Sequence, residues 1–407
     1  MPLPGIGSVG IEMRYQGQTA DITPFVSRFI WTESLIDGGW SWELDFSTED
    51  WQDWTTLMLG KKLQNWQFRL KSVEGDSELN PTERTTDWRT AFVDGSTGVY
   101  KGEALAGRVW GTDKRLDLLN KARTRAWLGR SISDIVAATA TEYGLLADVQ
   151  DTKIARDRWQ LRETDWMHLM RLSREASTGA GRGDVFVWID EDKLRFGAPD
   201  FQAPAQRNYD LSVVENRVDG MAVKYNGREI DRIGGATLIS VGYDLENQVP
   251  LVFVMNNASA SAYAALADHV PRDPADGLRV VHTTEELQGL VEGVGRSVWG
   301  RAAPRYYTMR LDLRPDFALK PGVMIQGQAS LDNRHSLPVF GRFCVLEVRH
   351  ALEGGKLTTT LACFRREAYD GDAKPTGTPV SQGTPNDNYS IGADDKPMTI
   401  VRAQVLG

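Results

Sequence analysis

The sequence predicts an α+β fold: two barrel-like β regions flanking a helical α/β middle, with an extended C-terminal tail. Three observations predict it. GGWSWELDFS (38–47) alternates apolar and polar residues, the period of a strand with one buried face. SISDIVAATATEYGLL (131–146) changes to helical spacing. Period two then returns in RYYTMRLDLR (305–314), FCVLEVRHAL (343–352) and KLTTTLACF (356–364).

Taken in order, Trp40, Trp42, Leu44 and Phe46 share one face of the 38–47 strand, and Ser41, Glu43, Asp45 and Ser47 share the other. NWQFRLKS (65–72) and TAFVDGSTGVYKGEAL (90–105) continue the pattern, the second with turn residues at Asp94-Gly95-Ser96. In the 131–146 helix Ile132, Ile135, Val136, Thr139 and Tyr143 recur at helical spacing; Ser131 or Ser133 caps its start and Gly144 its end. DVFVWIDEDKLRFGAPD (184–200) reads as a hairpin turning at Asp190, Glu191 and Asp192. GMAVKYN (220–226) and TLISVGYD (237–244) are further strands, and TEELQGLVEGVGRSVWGRA (284–302) is helix-like. From Asp370 to Pro397 the composition is that of a linker, ending in the apolar strand candidate MTIVRAQVL (398–406). Thr399, Ile400, Val401 and Val405 either complete a neighbour's sheet edge or fray.

The chain has 407 residues and a net charge of −8. That balance argues against broad binding to a phosphate backbone, which needs clustered Lys and Arg. The N-terminus has no basic stretch followed by an apolar run, and the longest apolar run, VPLVFVM (249–255), is too short to span a bilayer, so no membrane insertion and a reducing cytosol are expected. Cys344 and Cys363 fall on adjacent strand-like runs. A two-residue Gly354-Gly355 loop would set Leu346 opposite Cys363; buried thiols or a disulfide both fit.

Sites for chemistry are sparse. Gly5-Ile-Gly7-Ser-Val-Gly10 matches a dinucleotide fingerprint by letter but has no room for a preceding strand. The histidines at 168, 269, 282, 335 and 350 are scattered, and no zinc or nucleophile-elbow spacing occurs. No catalytic, metal or cofactor-binding residue is nominated. The densest polar stretch is ETDWMHLMRLSREA (163–176). Trp166, Leu169, Met170 and Ser173 form its apolar stripe, widened by Leu172 and Ala176. Thr164 caps it, Asp165 suits its dipole, and Arg171 pairs with Glu175. An Asp165–His168 metal pair fits the spacing but lacks a third ligand. The helix is expected to pack, with its charges capping or solvated.

Glu163-Thr-Asp165-Trp166, Arg171-Leu172, Glu175 and the strand Lys193-Leu194-Arg195-Phe196 resemble the E-[ST]-D-x-x-F-x-x-R-L-x-x-E segment of bacteriophage tail hub proteins. These include the late-control protein D family of contractile phages and the N-terminal part of type VI secretion spike proteins. Arg123-Thr-Arg125-Ala-Trp127, the 131–145 helix and the 38–47 strand are similar too. Met167 and Leu169 depart from the family's aromatic, and Glu175-Ala-Ser replaces its usual Glu-Gly.

The resemblance implies a structural baseplate hub without catalysis or cofactor. Its parts would be a first β-barrel tube domain (1–110), a helical α/β middle domain (111–200), a second tube domain (201–369) and a linker with terminal strand (370–407). A homotrimer with pseudo-sixfold symmetry would adapt a hexameric tail tube or distal tail ring to a separate trimeric spike protein. Its channel would pass the tape-measure protein and, transiently, DNA. It would sit at the tail tip or baseplate of the virion and be assembled in host cytoplasm. Glu43 and Asp45 are expected to give an acidic lumen, with Arg310, Asp312 and Arg314 making the lining mixed. The rival readings are a tail-associated cell-wall hydrolase and a receptor- or carbohydrate-binding tail protein using exposed tryptophans.

Overall fold

The computed structural model describes residues 6–15, 17–48, 66–74, 82–101, 104–152, 155–176, 185–201, 203–210, 218–225, 237–245, 247–256, 278–282, 307–328, 341–365, 389–390 and 397–398. The helix-like run 284–302 and the strand candidates Thr399, Ile400, Val401 and Val405 lie outside them.

Strands dominate. The N-terminal region contributes β1 (Ile6–Tyr15), β2 (Gln18–Asp21), β3 (Val26–Ser34), β4 (Gly39–Thr48), β5 (Gln67–Glu74), β6 (Thr82–Thr85), β7 (Arg89–Lys101) and β8 (Ala104–Asp113). The middle holds α1 (Lys114–Leu118), β9 (Ala122–Ser131), α2 (Ile132–Glu142), β10 (Leu146–Val149), β11 (Ala155–Thr164), α3 (Asp165–Glu175), β12 (Phe186–Asp190) and β13 (Lys193–Gly197). Next come β14 (Arg207–Asp210), β15 (Val218–Tyr225), β16 (Thr237–Asp244), β17 (Val249–Asn256) and β18 (Leu278–His282). The chain continues with β19 (Tyr307–Leu313), β20 (Met324–Gln328), β21 (Gly341–Glu353), β22 (Lys356–Arg365), β23 (Tyr389–Ser390) and β24 (Pro397–Met398).

The two β regions that look separate in sequence share one sheet, in the order β15-β19-β22-β21-β3-β4-β8-β7-β5-β1-β2. The join is β21 against β3, antiparallel from Glu347↔Ser34 to Glu353↔Arg28. Among the described residues this path has two ends and closes into no barrel. The strand formed by 6–15 also runs through most of the letter-match to a dinucleotide fingerprint.

Among the described residues, three large apolar cores and a smaller one around Leu35, Met324 and Phe364 lie along the chain. The first is aromatic: Trp31, Trp40, Trp42, Trp66 and Phe68 are buried. Trp31 and Trp40 have ring centroids 4.8 Å apart, and Trp42 and Phe68 are 5.0 Å apart. Offset and tilted pairs of this kind add to plain area burial. The β4 alternation is as the sequence predicts, with its Trp, Leu and Phe inward. In the middle core Ile135, Val136 and Ala140 of α2 meet Leu169 and Leu172 of α3 over Leu194 and Phe196 of β13. The third core packs Leu311, Val345, Leu361 and Cys363.

Local signals hold in several places. Ser131 caps α2 through a reciprocal capping box with Asp134, and Gly144 takes φ +67° just past its end. The β12–β13 hairpin pairs Asp190 with Lys193, and Glu191 adopts φ +56° in its two-residue loop. Two expectations need correction. Asp94-Gly95-Ser96 is not a turn but a bulge inside β7, between Val93 and Gly95. Gly95 is required there because the indole of Trp110 covers its Cα. The β21–β22 register follows the Gly354-Gly355 turn as far as Glu347↔Ala362, then slips at a bulge, so Val345 rather than Leu346 faces Cys363. Both cysteines are buried free thiols.

His350 lies on the inner face of β21, its Nδ1 2.8 Å from Thr359 Oγ1 and its ring edge-on to Phe317. Burial pushes its pKa down to about 4. The folded state therefore keeps it neutral while the unfolded chain protonates it below about pH 6.5. Stability should fall as pH drops from about 6.5 to 4, by roughly 3 kcal/mol. Urea melts at successive pH values check this: His350→Gln should flatten that slope, and an unchanged slope would assign the acid sensitivity elsewhere.

Candidate functional site

The sheet register brings together two segments nominated independently from the sequence. Residues directly opposed across antiparallel strands point to the same side. Asp312 pairs with Thr360, Thr360 with Arg349, Arg349 with Thr32, and Thr32 with Ser41. Ser41 shares its face with Glu43 and Asp45. Arg310 likewise alternates onto the side of Asp312, opposite the buried Leu311 and Leu313, while Arg314 follows the end of β19. Glu43, Asp45, Arg310 and Asp312 thus occupy one polar face of a single sheet, backed by the first and third cores, with Arg314 just past its last paired residue.

That face is not simply acidic. Arg28 reaches Glu43 at 3.4 Å, Asp45 at 3.7 Å and Glu353 at 2.7 Å. Arg108 forms a two-pronged contact with Asp45, at 2.6 and 2.9 Å. Hydrogen bonding to Asp45, then its charge, raises the pKa of Arg108. Across the sheet Arg310 lies 3.3 Å from Asp312, which also accepts from Thr360 at 2.8 Å. Alternating charges across neighbouring strands neutralise one another locally. Glu43 and Asp45 therefore stand among basic partners on this face.

The 163–175 motif is also built differently from a capped, solvated helix. Thr164 caps α3 as expected, accepting from the Met167 amide, and Arg171 meets Glu175 at 3.1 Å. Asp165, however, is 1% exposed. Its carboxylate takes Arg125 at 2.8 Å, Arg123 at 3.2 Å, Gln160 at 2.8 Å and the Tyr143 hydroxyl. Burial alone would raise its pKa, but the hydrogen bonds from Tyr143 and Gln160 and the two guanidinium charges prevail and lower it. Burial and the bond to Asp165 push Tyr143 up to about 12. Glu163 forms a second cluster, with His168 Nδ1 at 2.7 Å and Arg171 at 2.6 Å. Burial raises its pKa, but the hydrogen bonds from Arg171 and His168 outweigh that and lower it. Burial lowers the pKa of His168.

The sequence-level metal pair is therefore split: Asp165 serves the arginines and His168 serves Glu163. Among the described residues no group of three or more His, Cys, Asp or Glu is placed to hold a metal ion. The buried helix face is also rotated from the predicted stripe. Asp165, His168, Leu169, Leu172 and Ser173 are inside, while Trp166 and Met170 are half-buried. Asp165 and His168 read as polar in sequence, so hydrophobic periodicity alone does not place them on the buried face. Trp166 has another task, its indole lying against the Cα of Gly38 in the β3–β4 turn.

A further ionic junction has no local signal in the sequence, because its partners are far apart: Glu33 and Arg89 by 56 positions, Glu191 and Lys320 by 129. Arg89 of β7, 3% exposed, reaches Glu33 of β3 at 3.2 Å and Asp190 of β12 at 3.7 Å. Lys320 reaches Asp190 at 3.6 Å and also pairs with Glu191. This junction ties all three regions together. The adjoining cleft between Glu33, Trp188, Asp190 and Lys320 has room for about one water.

Among known proteins, no family model matches the chain and no curated protein matches it in sequence. Solved structures do match. The chain has the fold of bacteriophage tail proteins. A tail protein from Neisseria meningitidis superposes with a TM-score of 0.60 at 11% identity, covering 88% of this chain and 97% of that one. The 43 kDa tail protein of prophage MuSo2 from Shewanella oneidensis gives 0.58 at 11% identity, covering 88% and 98%. A chain of the Francisella PdpA-VgrG complex gives 0.50 at 9% identity, covering 98% and 66%.

Proposed function

We propose that this chain is a structural baseplate hub of a phage-type tail. Three copies form a ring that adapts a hexameric tail tube to a trimeric spike. The observation that carries the reading is the fold shared with tail proteins over nearly their whole length. In the proposed layout, residues 1–110 and 201–369 are the tube-like parts, 111–200 is the middle domain, and 370–407 is a linker whose terminal strand reaches a partner.

The continuous polar face supports the channel part of the reading. It carries Glu43, Asp45, Arg310 and Asp312 and, with Arg314 beside it, would line a bore passing the tape-measure protein and then DNA. Locally paired charges suit that task, because they leave no block of one sign to hold a passing polyanion. The protein would reside at the tail tip of the virion after assembly in the host cytoplasm. Its working partners would be the tube or distal ring and the spike. The 163–175 helix motif would serve structure, holding the middle domain rigid between the tube-like parts.

Electron cryo-microscopy of purified tails tests this. A threefold ring of this chain at the tube-to-spike junction, with Glu43 and Asp312 facing the bore, is expected. Density placing the chain away from the tail axis, or Glu43 on an outer wall, would reject the reading.

A further inference from the structure

The middle domain carries a surface that the hub reading does not use. β9 and β11 pair only with each other among the described strands, forming a two-stranded ribbon. Its inner face holds the buried Arg158 and Gln160 and the half-buried Arg123 and Arg125, which meet the buried Asp165 of α3. Its outer face is apolar and open: Leu128 is 62%, Trp159 57% and Leu161 66% exposed. The register sets Trp159 opposite Ala126 and Leu161 opposite Thr124, with Leu128 one step diagonal to Trp159, so these side chains form one patch. Scattered exposed apolar residues mean nothing by themselves, but a contiguous set on one ribbon face marks a contact surface.

Charge selects the occupant. The ribbon strands carry six arginines against two carboxylates, in a chain whose net charge is −8. The rest of the chain is therefore more acidic than the whole. Arg123 and Arg125 are held by Asp165 and Glu142, Arg156 by Glu175 and Arg158 by the Arg130 carbonyl, so the outward charge is that of Arg130 and Arg162 beside the exposed Asp157. Arg130 and Arg162 at the rim are exposed. A surface with an apolar centre and a basic rim fits an acidic surface, and this chain supplies one in its own second copy. Such a contact joins two different patches, which is the geometry that closes a ring. We propose that the outer face of the β9–β11 ribbon docks on an acidic surface of a neighbouring copy, with Trp159 and Leu161 as its anchors. This rests on the ring reading and names the surface that would hold the ring together.

The test is sedimentation of the full chain over a concentration series, wild type beside Trp159→Ser/Leu161→Ser and beside Arg130→Glu. Both side chains of the double variant are exposed, and matched circular dichroism and melting curves confirm folding. Wild type should self-associate, and the double variant should do so at least ~30-fold more weakly, the size of an interface anchor loss. Arg130→Glu should weaken it too, and added salt should weaken wild type more than that variant. A photo-crosslinker at Leu161, in mixed isotopically light and heavy copies, should capture an acidic segment of the other copy. Unchanged association in both variants would overturn the ribbon proposal while leaving the ring reading standing. A wild type that stays monomeric would overturn both. Binding of wild type, but not the double variant, to anionic vesicles without any effect on self-association would reassign the patch to a membrane surface and overturn the proposal.

Discussion

Asp165→Ala should destabilise the fold around α2 and α3 by about 3–5 kcal/mol, the range for removing one member of a buried ion cluster. The reason is what remains. Arg123 and Arg125 lose the carboxylate they converge on, and Gln160 and Tyr143 lose their acceptor. Glu142 still holds both arginines, at 2.9 and 2.8 Å, but it sits at the surface and gives only part of that compensation. Asp165→Asn keeps shape and acceptor while removing the charge, and should fall between. Urea unfolding followed by limited proteolysis of the 111–200 region reads the effect. A loss under about 1 kcal/mol would show the cluster to be neutral for stability, as some buried ion networks are. The pH dependence has a definite sign. The folded pKa of Asp165 is lowered, so its contribution is present above the ordinary carboxylate pKa near 4 and lost as pH falls through the lowered value. Tyr143 acts at the other end: its contribution is complete below about pH 10 and lost as pH rises toward about 12.

Gly38→Ala should cost about 4 kcal/mol, combining a left-handed backbone penalty with overpacking. Gly38 has φ +80°, and a methyl group there would overlap the Trp166 indole. Its carbonyl also accepts the Ile189 amide at 2.8 Å, so the turn cannot move without loosening its hold on β12. A double-mutant cycle with Trp166→Ala separates the two causes. If steric overlap dominates, the double variant should lose clearly less than the sum of the single losses. Strict additivity would leave backbone strain as the only cause.

These two positions also show where sequence reasoning reaches and where it stops. The β4 alternation, the α2 capping box and the β12–β13 hairpin were legible because each signal is local: a period, a cap or a turn. Thr164 and the Arg171–Glu175 pair were legible for the same reason. Asp165 reads as a helix-dipole residue in sequence because nothing within a few residues reveals Arg125 and Arg123, 40 and 42 positions upstream. Gly38 falls within the 38–47 strand segment read from the sequence, with nothing there to reveal that Trp166 presses on it from another region. The polar face was half legible. Strand periodicity put Glu43 with Asp45 and Arg310 with Asp312, but only pairing through β21 and β3 could place both sets on one surface. The neutralisation by Arg28 and Arg108 was invisible for that reason.

The β3–β21 join has a further consequence for how the polypeptide is made. Arg28 and its partner Glu353 are separated by 325 positions. The ribosome therefore delivers one edge of this sheet long before its complement exists. For that interval β3 is a bare hydrogen-bonding template, the kind of surface that invites mispairing between nascent chains. Maturation should accordingly be slow and helped by chaperones, and truncations that remove the last strands should precipitate rather than yield a soluble half.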